Sequence, residues 1–193
     1  MDVTALFLKN IDDHQAVIAS LPGLSPVVAQ AVDLIAGSLQ RGGKLMLCGN
    51  GGSAADSQHL AAEFTGRFSQ DRRPLAALAL STDTSALTCI GNDYSFADVF
   101  VRQLLALGRA GDCLLAISTS GNSENVMRAV AVANSTGMHS IGLLGRDGGK
   151  LAAMCACSIV VPSPDTARIQ EAHILIGHTL CGAVEQRLGL VSA

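Results

Sequence analysis

Five short apolar runs, Lys44–Cys48, Leu75–Leu80, Cys113–Ile117, His139–Leu144 and Cys157–Val161, alternate with segments of helical period through most of the chain. Each run is nearly continuous in apolar residues, the pattern of a strand covered on both faces. The spacing predicts helices between them over 53–68, 84–90, 96–108, 123–136 and 149–153. A long last helix is predicted from about Asp165 to Leu188. Repeated β-α-β units of this kind leave few solutions besides a parallel sheet between two helical layers. The expected fold class is α/β, a three-layer α/β/α sandwich with a five-stranded parallel sheet.

Two helices precede the first strand. Val3, Phe7, Ile11, His14, Ile18 and Leu21 recur at three- and four-residue steps, and the stripe stops at Leu21-Pro22-Gly23. His14 on that stripe reads as a packed or interface histidine. A second helix follows Ser25-Pro26, with proline in its first turn, and ends near Arg41-Gly42-Gly43. The chain of 193 residues shows no repeat, linker or low-complexity stretch, so one domain is expected. Residues 1–42 form its N-terminal helices and 43–193 the sandwich with the C-terminal helix.

Hydrophobic residues make up 49% of the chain and charged ones 15%. No single apolar run reaches the eighteen or so residues of a membrane span, and the N-terminus lacks the basic and apolar regions of a secretion signal. A membrane partner is not expected. The apolar excess then has to be buried elsewhere, and a subunit interface is the natural place. A net charge of −3 argues against a broad nucleic-acid-binding surface. The six cysteines contain no C-x-x-C pair and read as reduced, buried thiols of a cytoplasmic protein.

In open parallel sheets, ligands collect beyond the carboxyl ends of the strands. After the first strand comes Gly49-Asn50-Gly51-Gly52-Ser53, after the second Ser81-Thr82-Asp83-Thr84-Ser85, and after the third Ser118-Thr119-Ser120-Gly121-Asn122-Ser123. The third loop has the ingredients of a phosphate cradle. Its hydroxyls are donors without bulk, Gly121 lets the backbone turn amides inward, and a helix begins near Ser123. No Walker lysine follows, so a phosphate monoester fits better than a triphosphate. The first loop formally matches the dinucleotide fingerprint. The acidic residue that fingerprint needs is misplaced, since Asp83 lies too far along, and the dinucleotide reading is set aside.

His59 and Glu63 are spaced i, i+4 and share one face of a helix. That spacing suits two ligands of one metal, a base beside an orienting imidazole, or an exposed pair with no role in chemistry. In the last helix His178 sits among apolar residues, as a core histidine does. Gln170 lies eight residues earlier, about 12 Å along an ideal helix, so spacing alone does not join the two. His173 falls on another face and reads as structural.

The stretches Cys48–Asp56 with Gln58, His59 and Glu63, then Ile90-Gly91-Asn92-Asp93, Ile117–Ser123, and Ala167–Glu171 with His178, resemble phosphosugar isomerases of the SIS fold. More closely they resemble the phosphoheptose isomerase family, in the same order and over almost the whole chain. The resemblance implies a flavodoxin-like sheet. It also implies conversion of sedoheptulose 7-phosphate to D-glycero-D-manno-heptose 7-phosphate, the first step of bacterial ADP- or GDP-heptose biosynthesis. It implies a homotetramer with one zinc per subunit and sites at subunit contacts, the last helix of one subunit approaching the first loop of another. Carried over residue by residue, it puts His59, Glu63, Gln170 and His178 around the zinc, with Glu63 and His178 catalytic. Around the phosphorylated seven-carbon sugar it puts Asn50, Gly51, Gly52, Glu63, Asn92, Asp93, Ser118, Thr119, Ser120, Ser123 and Gln170. The family often has aspartate where this chain has Ala167.

A relative of the same fold, the DnaA-initiator-associating protein, binds a replication initiator and lacks the catalytic glutamate and histidine. This chain keeps Glu63 and His178, which favours the enzyme over that non-catalytic alternative. Phosphosugar-sensing regulators usually carry a fused DNA-binding module, and none is recognisable here.

Overall fold

The computed structural model describes residues 2–191. Five parallel strands, β1 (Leu45–Cys48), β2 (Ala77–Ala79), β3 (Cys113–Ser118), β4 (His139–Gly145) and β5 (Cys157–Val161), lie in the order β2-β1-β3-β4-β5. This is the expected sandwich. Strand alternation divides the core in two. Leu45, Leu47, Cys113, Leu115 and Ile117 point to one face, and Met46, Cys48, Leu114 and Ala116 to the other.

The first face is covered by α1 (Val3–Ser20), α2 (Ser25–Gln40), α3 (Gly52–Thr65) and α8 (Thr166–Arg187). The second is covered by α4 (Thr84–Asp93), α5 (Val101–Leu107), α6 (Glu124–Ser135) and the short α7 (Leu151–Met154). The chain leaves β1 outward to β2 and returns across it to β3, so α3 and α6 start from neighbouring strands and pack on opposite faces. The loops after β1 and β3 therefore part, opening a crevice at this switch point.

Boundaries differ from the sequence pattern for local reasons. The helix expected over 96–108 is a 3-10 turn, Phe96–Asp98, followed by α5. The last expected helix starts at Thr166 because the Asp165 carboxylate caps it, accepting from the Ala167 amide at 2.8 Å. Asp83 likewise caps α4, accepting from the Ala86 amide at 2.9 Å. The side chain that the dinucleotide reading would have needed at a ribose is thus used in capping.

Val3–Gln40, taken through the Leu21–Leu24 3-10 turn, is by length and composition apolar enough to cross a membrane, with a window of mean hydropathy 1.5. Lys9, Asp12 and Asp13 charge its first half, so any such window must run through the Leu21-Pro22-Gly23 break. That break turns α2 back onto the core, where Ala31, Val32, Ile35 and Ala36 are buried. The expectation of no span-length stretch is corrected to that extent. His14 is not packed among apolar groups: it is half-exposed, and its Nδ1 lies 2.8 Å from Glu171 on α8. The six cysteines are free thiols, but Cys89 is exposed and Cys155 only half-buried.

His173 is fully buried in α8, with Nε2 3.0 Å from the Leu144 carbonyl of β4. That contact makes Nε2 the N–H donor and leaves Nδ1 bare in an apolar setting without a partner among the described residues. Burial pushes the imidazole pKa down to about 4. The unfolded chain then binds more protons than the folded one between about pH 6.5 and 4, so stability falls as pH drops through that window. The shift corresponds to roughly 3 kcal/mol at most. His173→Phe should flatten the acid limb of a melting-temperature versus pH curve. An unchanged acid limb would mean that His173 titrates normally.

Candidate active site at the switch point

The first loop is shaped by Gly51, whose φ of +55° leaves the backbone in a conformation suited to glycine. α3 begins at Gly52, and the Gln170 amide of α8 rests on Gly52 so closely that a side chain there would collide with it. Seven or eight residues further along both helices, His59 meets His178. α3 and α8 thus run side by side in the same direction.

Where they meet, His59 Nε2 lies 2.8 Å from His178 Nε2 and 3.5 Å from Glu63 Oε1. One donor atom from each of His59, Glu63 and His178 falls within 4.8 Å of the others. Two imidazoles and a carboxylate, partly open to solvent, form a donor set that suits zinc with room for further ligands. The structure brings these three sequence-predicted residues together within one chain, so α8 approaches the first loop of its own protomer. Gln170 sits at the start of α3, about two turns from His59.

Three supports of this cluster were not apparent from the sequence. Asp56, one turn before His59, has a buried Oδ2 with no partner among the described residues. Burial raises its pKa, with His59 and His178 opposing. Its i−3 spacing from His59 was the available signal. Phe68 packs its ring 5.4 Å from that of His178. Arg72 donates to the backbone carbonyls of Glu63, Phe64 and Gly66 at 2.7, 2.9 and 2.7 Å, closing the end of α3. Its Nε also donates at 2.8 Å to Glu185 of α8, and both side chains are almost wholly buried. The turn that carries Glu63 is therefore pinned to α8 by an ion pair.

The third loop is a ring of hydroxyls at the start of α6. Ser118 Oγ lies 3.1 Å from Ser123 Oγ and accepts from the Gly121 amide at 3.1 Å. Ser123 occupies the N-cap position without making a side-chain cap bond, which leaves the first-turn amides of α6 open to an anion. Gly121 has φ +64°, and a side chain on it would collide with the Gly148 carbonyl. The loop after β4 braces this cradle. Lys150 N–H donates to Asn122 Oδ1 at 3.1 Å, and Leu151 N–H to the Gly121 carbonyl at 3.0 Å.

A reciprocal amide pair bridges the two loops. Asn50 Nδ2 donates to Asn125 Oδ1 at 2.8 Å, and Asn125 Nδ2 donates to Asn50 Oδ1 at 2.9 Å. Gly49, Asn50 and Gly51 also border a cavity of about 170 Å³ that reaches Ser81 and Phe100. A larger hollow of about 580 Å³ between α2 and α8 lies among Val28, Val32 and Ala183 and holds none of this chemistry. Asn92 and Asp93 are exposed at the end of α4, where Asn92 Nδ2 donates to Asp93 Oδ1 at 2.8 Å and Cys89 contacts the other carboxylate oxygen. They make no hydrogen bond to the other predicted site residues among the described ones.

The comparisons with known proteins agree on one family. The SIS domain model matches residues 11–145. A phosphoheptose isomerase of Geotalea daltonii is 54% identical over 181 residues, covering 93% of this chain and 94% of the relative. The solved phosphoheptose isomerase GmhA of Neisseria gonorrhoeae superposes with a TM-score of 0.85 at 51% identity, over 95% of this chain and 97% of the other. A phosphoheptose isomerase structure from Francisella tularensis gives 0.86 at 38% identity, over 95% and 96%.

Proposed function

We infer the function from one premise: the chain belongs to the phosphoheptose isomerases of the SIS-domain family. It is an aldose–ketose isomerase that converts sedoheptulose 7-phosphate to D-glycero-D-manno-heptose 7-phosphate. The observation that carries the mechanism is the convergence of His59, Glu63 and His178 beside the switch point, with a hydroxyl cradle across it.

The reaction moves a proton between C1 and C2 through an enediol. It needs a base at carbon, a proton carrier at oxygen and stabilisation of developing negative charge. In the proposed assignment the Glu63 carboxylate takes the proton from carbon and returns it to the neighbouring carbon. The His178 imidazole moves the proton between the two oxygens. His59, Glu63 and His178 are assigned as zinc donors, while Gln170, held against Gly52 about two turns away, is assigned to the substrate rather than to the metal. Zinc bound there supplies Lewis acidity toward the substrate oxygens. Ser118, Thr119, Ser120 and Ser123 hold the phosphate, and Asn50, Gly51 and Gly52 face the sugar. The enzyme is assigned to the cytoplasm. Incubating the protein with sedoheptulose 7-phosphate, with zinc or with a chelator, and following the products by NMR tests the reading. It fails if no aldoheptose phosphate forms with zinc present.

Ser120→Ala combined with Ser123→Ala should raise KM for the phosphorylated ketose more than it lowers kcat. Each hydroxyl donating to a charged phosphate is worth roughly 1.5–3 kcal/mol. Binding of the unphosphorylated ketoheptose should not change. Equal losses for both sugars would mean that the loop holds the sugar itself.

Assembly to a homotetramer is proposed from α1, where Val3, Leu6, Phe7 and Leu8 are all more than 40% exposed. Such a stripe is suited to packing against symmetry-related copies. Asn92 and Asp93, exposed at the end of α4, are assigned to the substrate, as the family resemblance implies. Phe7→Asp with Ile11→Asp should give a smaller, poorly active species, because carboxylates buried without partners are costly. Light scattering with an activity assay on each fraction checks this, and a folded monomer of full activity would overturn it.

A further inference from the structure

The amide pair between Asn50 and Asn125 sits where the sheet gives the least help. β1 and β3 are paired as far as Cys48 and Ala116, and the chain then diverges into two loops whose helices leave on opposite faces. Past the strand ends, the bonds of 2.8 and 2.9 Å tie the loop that opens α3 directly to the second residue of α6. Asn125 is 3% exposed, so its amide is committed to Asn50 and does not reach a ligand in the crevice. Asn50 is only partly buried, and each of its amide atoms keeps bonding capacity after the pair is made. A packed apolar pair would also join the loops. Two antiparallel amide bonds in addition fix the angle and the distance.

That distance matters because the substrate is long. One end of the bound sugar is a phosphate at the α6 side, and the other is the reacting carbon pair beside Glu63 on the α3 side. We propose that Asn125 is a positioning residue: through Asn50 it sets the span between the phosphate cradle and the proton-transfer groups, and so matches the site to a seven-carbon phosphosugar. The inference rests on the isomerase reading given above and adds to it a residue that touches neither substrate nor metal.

Asn125→Ala separates this role from plain structural support when three quantities are measured. These are kcat with sedoheptulose 7-phosphate, the inhibition constant of inorganic phosphate, and activity on a six-carbon ketose phosphate relative to the heptose. Phosphate alone occupies only one side of the crevice, so its inhibition constant should stay unchanged. The heptose kcat should fall by at least ~10-fold, since misplacement of reacting groups by about 1 Å costs up to ~10²-fold. Preference for the heptose over the hexose should narrow. Circular dichroism establishes folding, and Asn125→Gln, which keeps the amide but carries it one carbon farther from the backbone, serves where the alanine variant does not fold and should give an intermediate loss. An unchanged kcat in a folded variant overturns the proposal. So does weakening of phosphate inhibition in step with kcat. If the unmodified protein isomerises no heptose phosphate, the isomerase reading falls. Calorimetry then decides the span alone, with heptose phosphate affinity expected to drop in the variant while inorganic phosphate affinity holds.

Discussion

Glu63→Gln should lower kcat by at least ~10²-fold while leaving the fold intact, the range expected when a general base at carbon is removed. Glutamine keeps the shape of the side chain and its place on α3, within reach of His59, whose Nε2 lies 3.5 Å from the Glu63 carboxylate in the native protein. What it loses is the ability to accept and hold a proton. The substitution also replaces an anionic metal donor by a neutral one, so metal content should be measured alongside turnover. A variant that retains metal and is still at least ~10²-fold slower assigns the loss to proton transfer. Turnover close to that of the unmodified protein would exclude Glu63 as the base.

Arg72→Met should cost about 3–5 kcal/mol of stability, because it leaves Glu185 buried without its counter-charge. Arg72 also loses its bonds to the carbonyls of Glu63, Phe64 and Gly66, so the last turn of α3 opens. Thermal denaturation should show the loss as a melting temperature lower by roughly 6–20 °C for a chain of this size. Adding Glu185→Leu to Arg72→Met should recover part of it, since an apolar pair can replace a buried ion pair. The recovery stays incomplete because the α3 carbonyls remain without their donor. A single variant as stable as the native protein would show that water reaches Glu185 and takes the place of the guanidinium.

The layers and strand sequence of this fold were legible because parallel strands buried on both faces are apolar through most of their length, as residues 113–117 of β3 and 141–145 of β4 are. The third loop was legible because hydroxyls and a glycine together at a strand end have few other uses. Pairing across the chain was not. Asn125 looks like an ordinary first-turn residue until Asn50 is seen opposite it, and Arg72 lies in a run of charge that reads as solvated surface. His178 reads as a core histidine by its neighbours in sequence, and only the parallel course of α3 and α8 brings it to His59. Periodicity reports which face of an element a side chain occupies. It carries no information on which other element will face it.

The contact between Gly121 and Gly148 has a consequence for altering this enzyme. A methyl group on Gly121 would strike the Gly148 carbonyl, and one on Gly149 would strike Gly121 and Asn122. The amides of Lys150 and Leu151 complete the seam by donating to Asn122 and Gly121. The segments after β3 and β4 therefore behave as one laminate, and a change to either transfers its displacement to the other. An insertion after β4, chosen because that loop carries no proposed catalytic group, would shift the hydroxyls after β3. Variation at these two places has to be introduced jointly, and a library that randomises one of them alone will return mostly proteins whose loop after β3 has lost the shape proposed for phosphate.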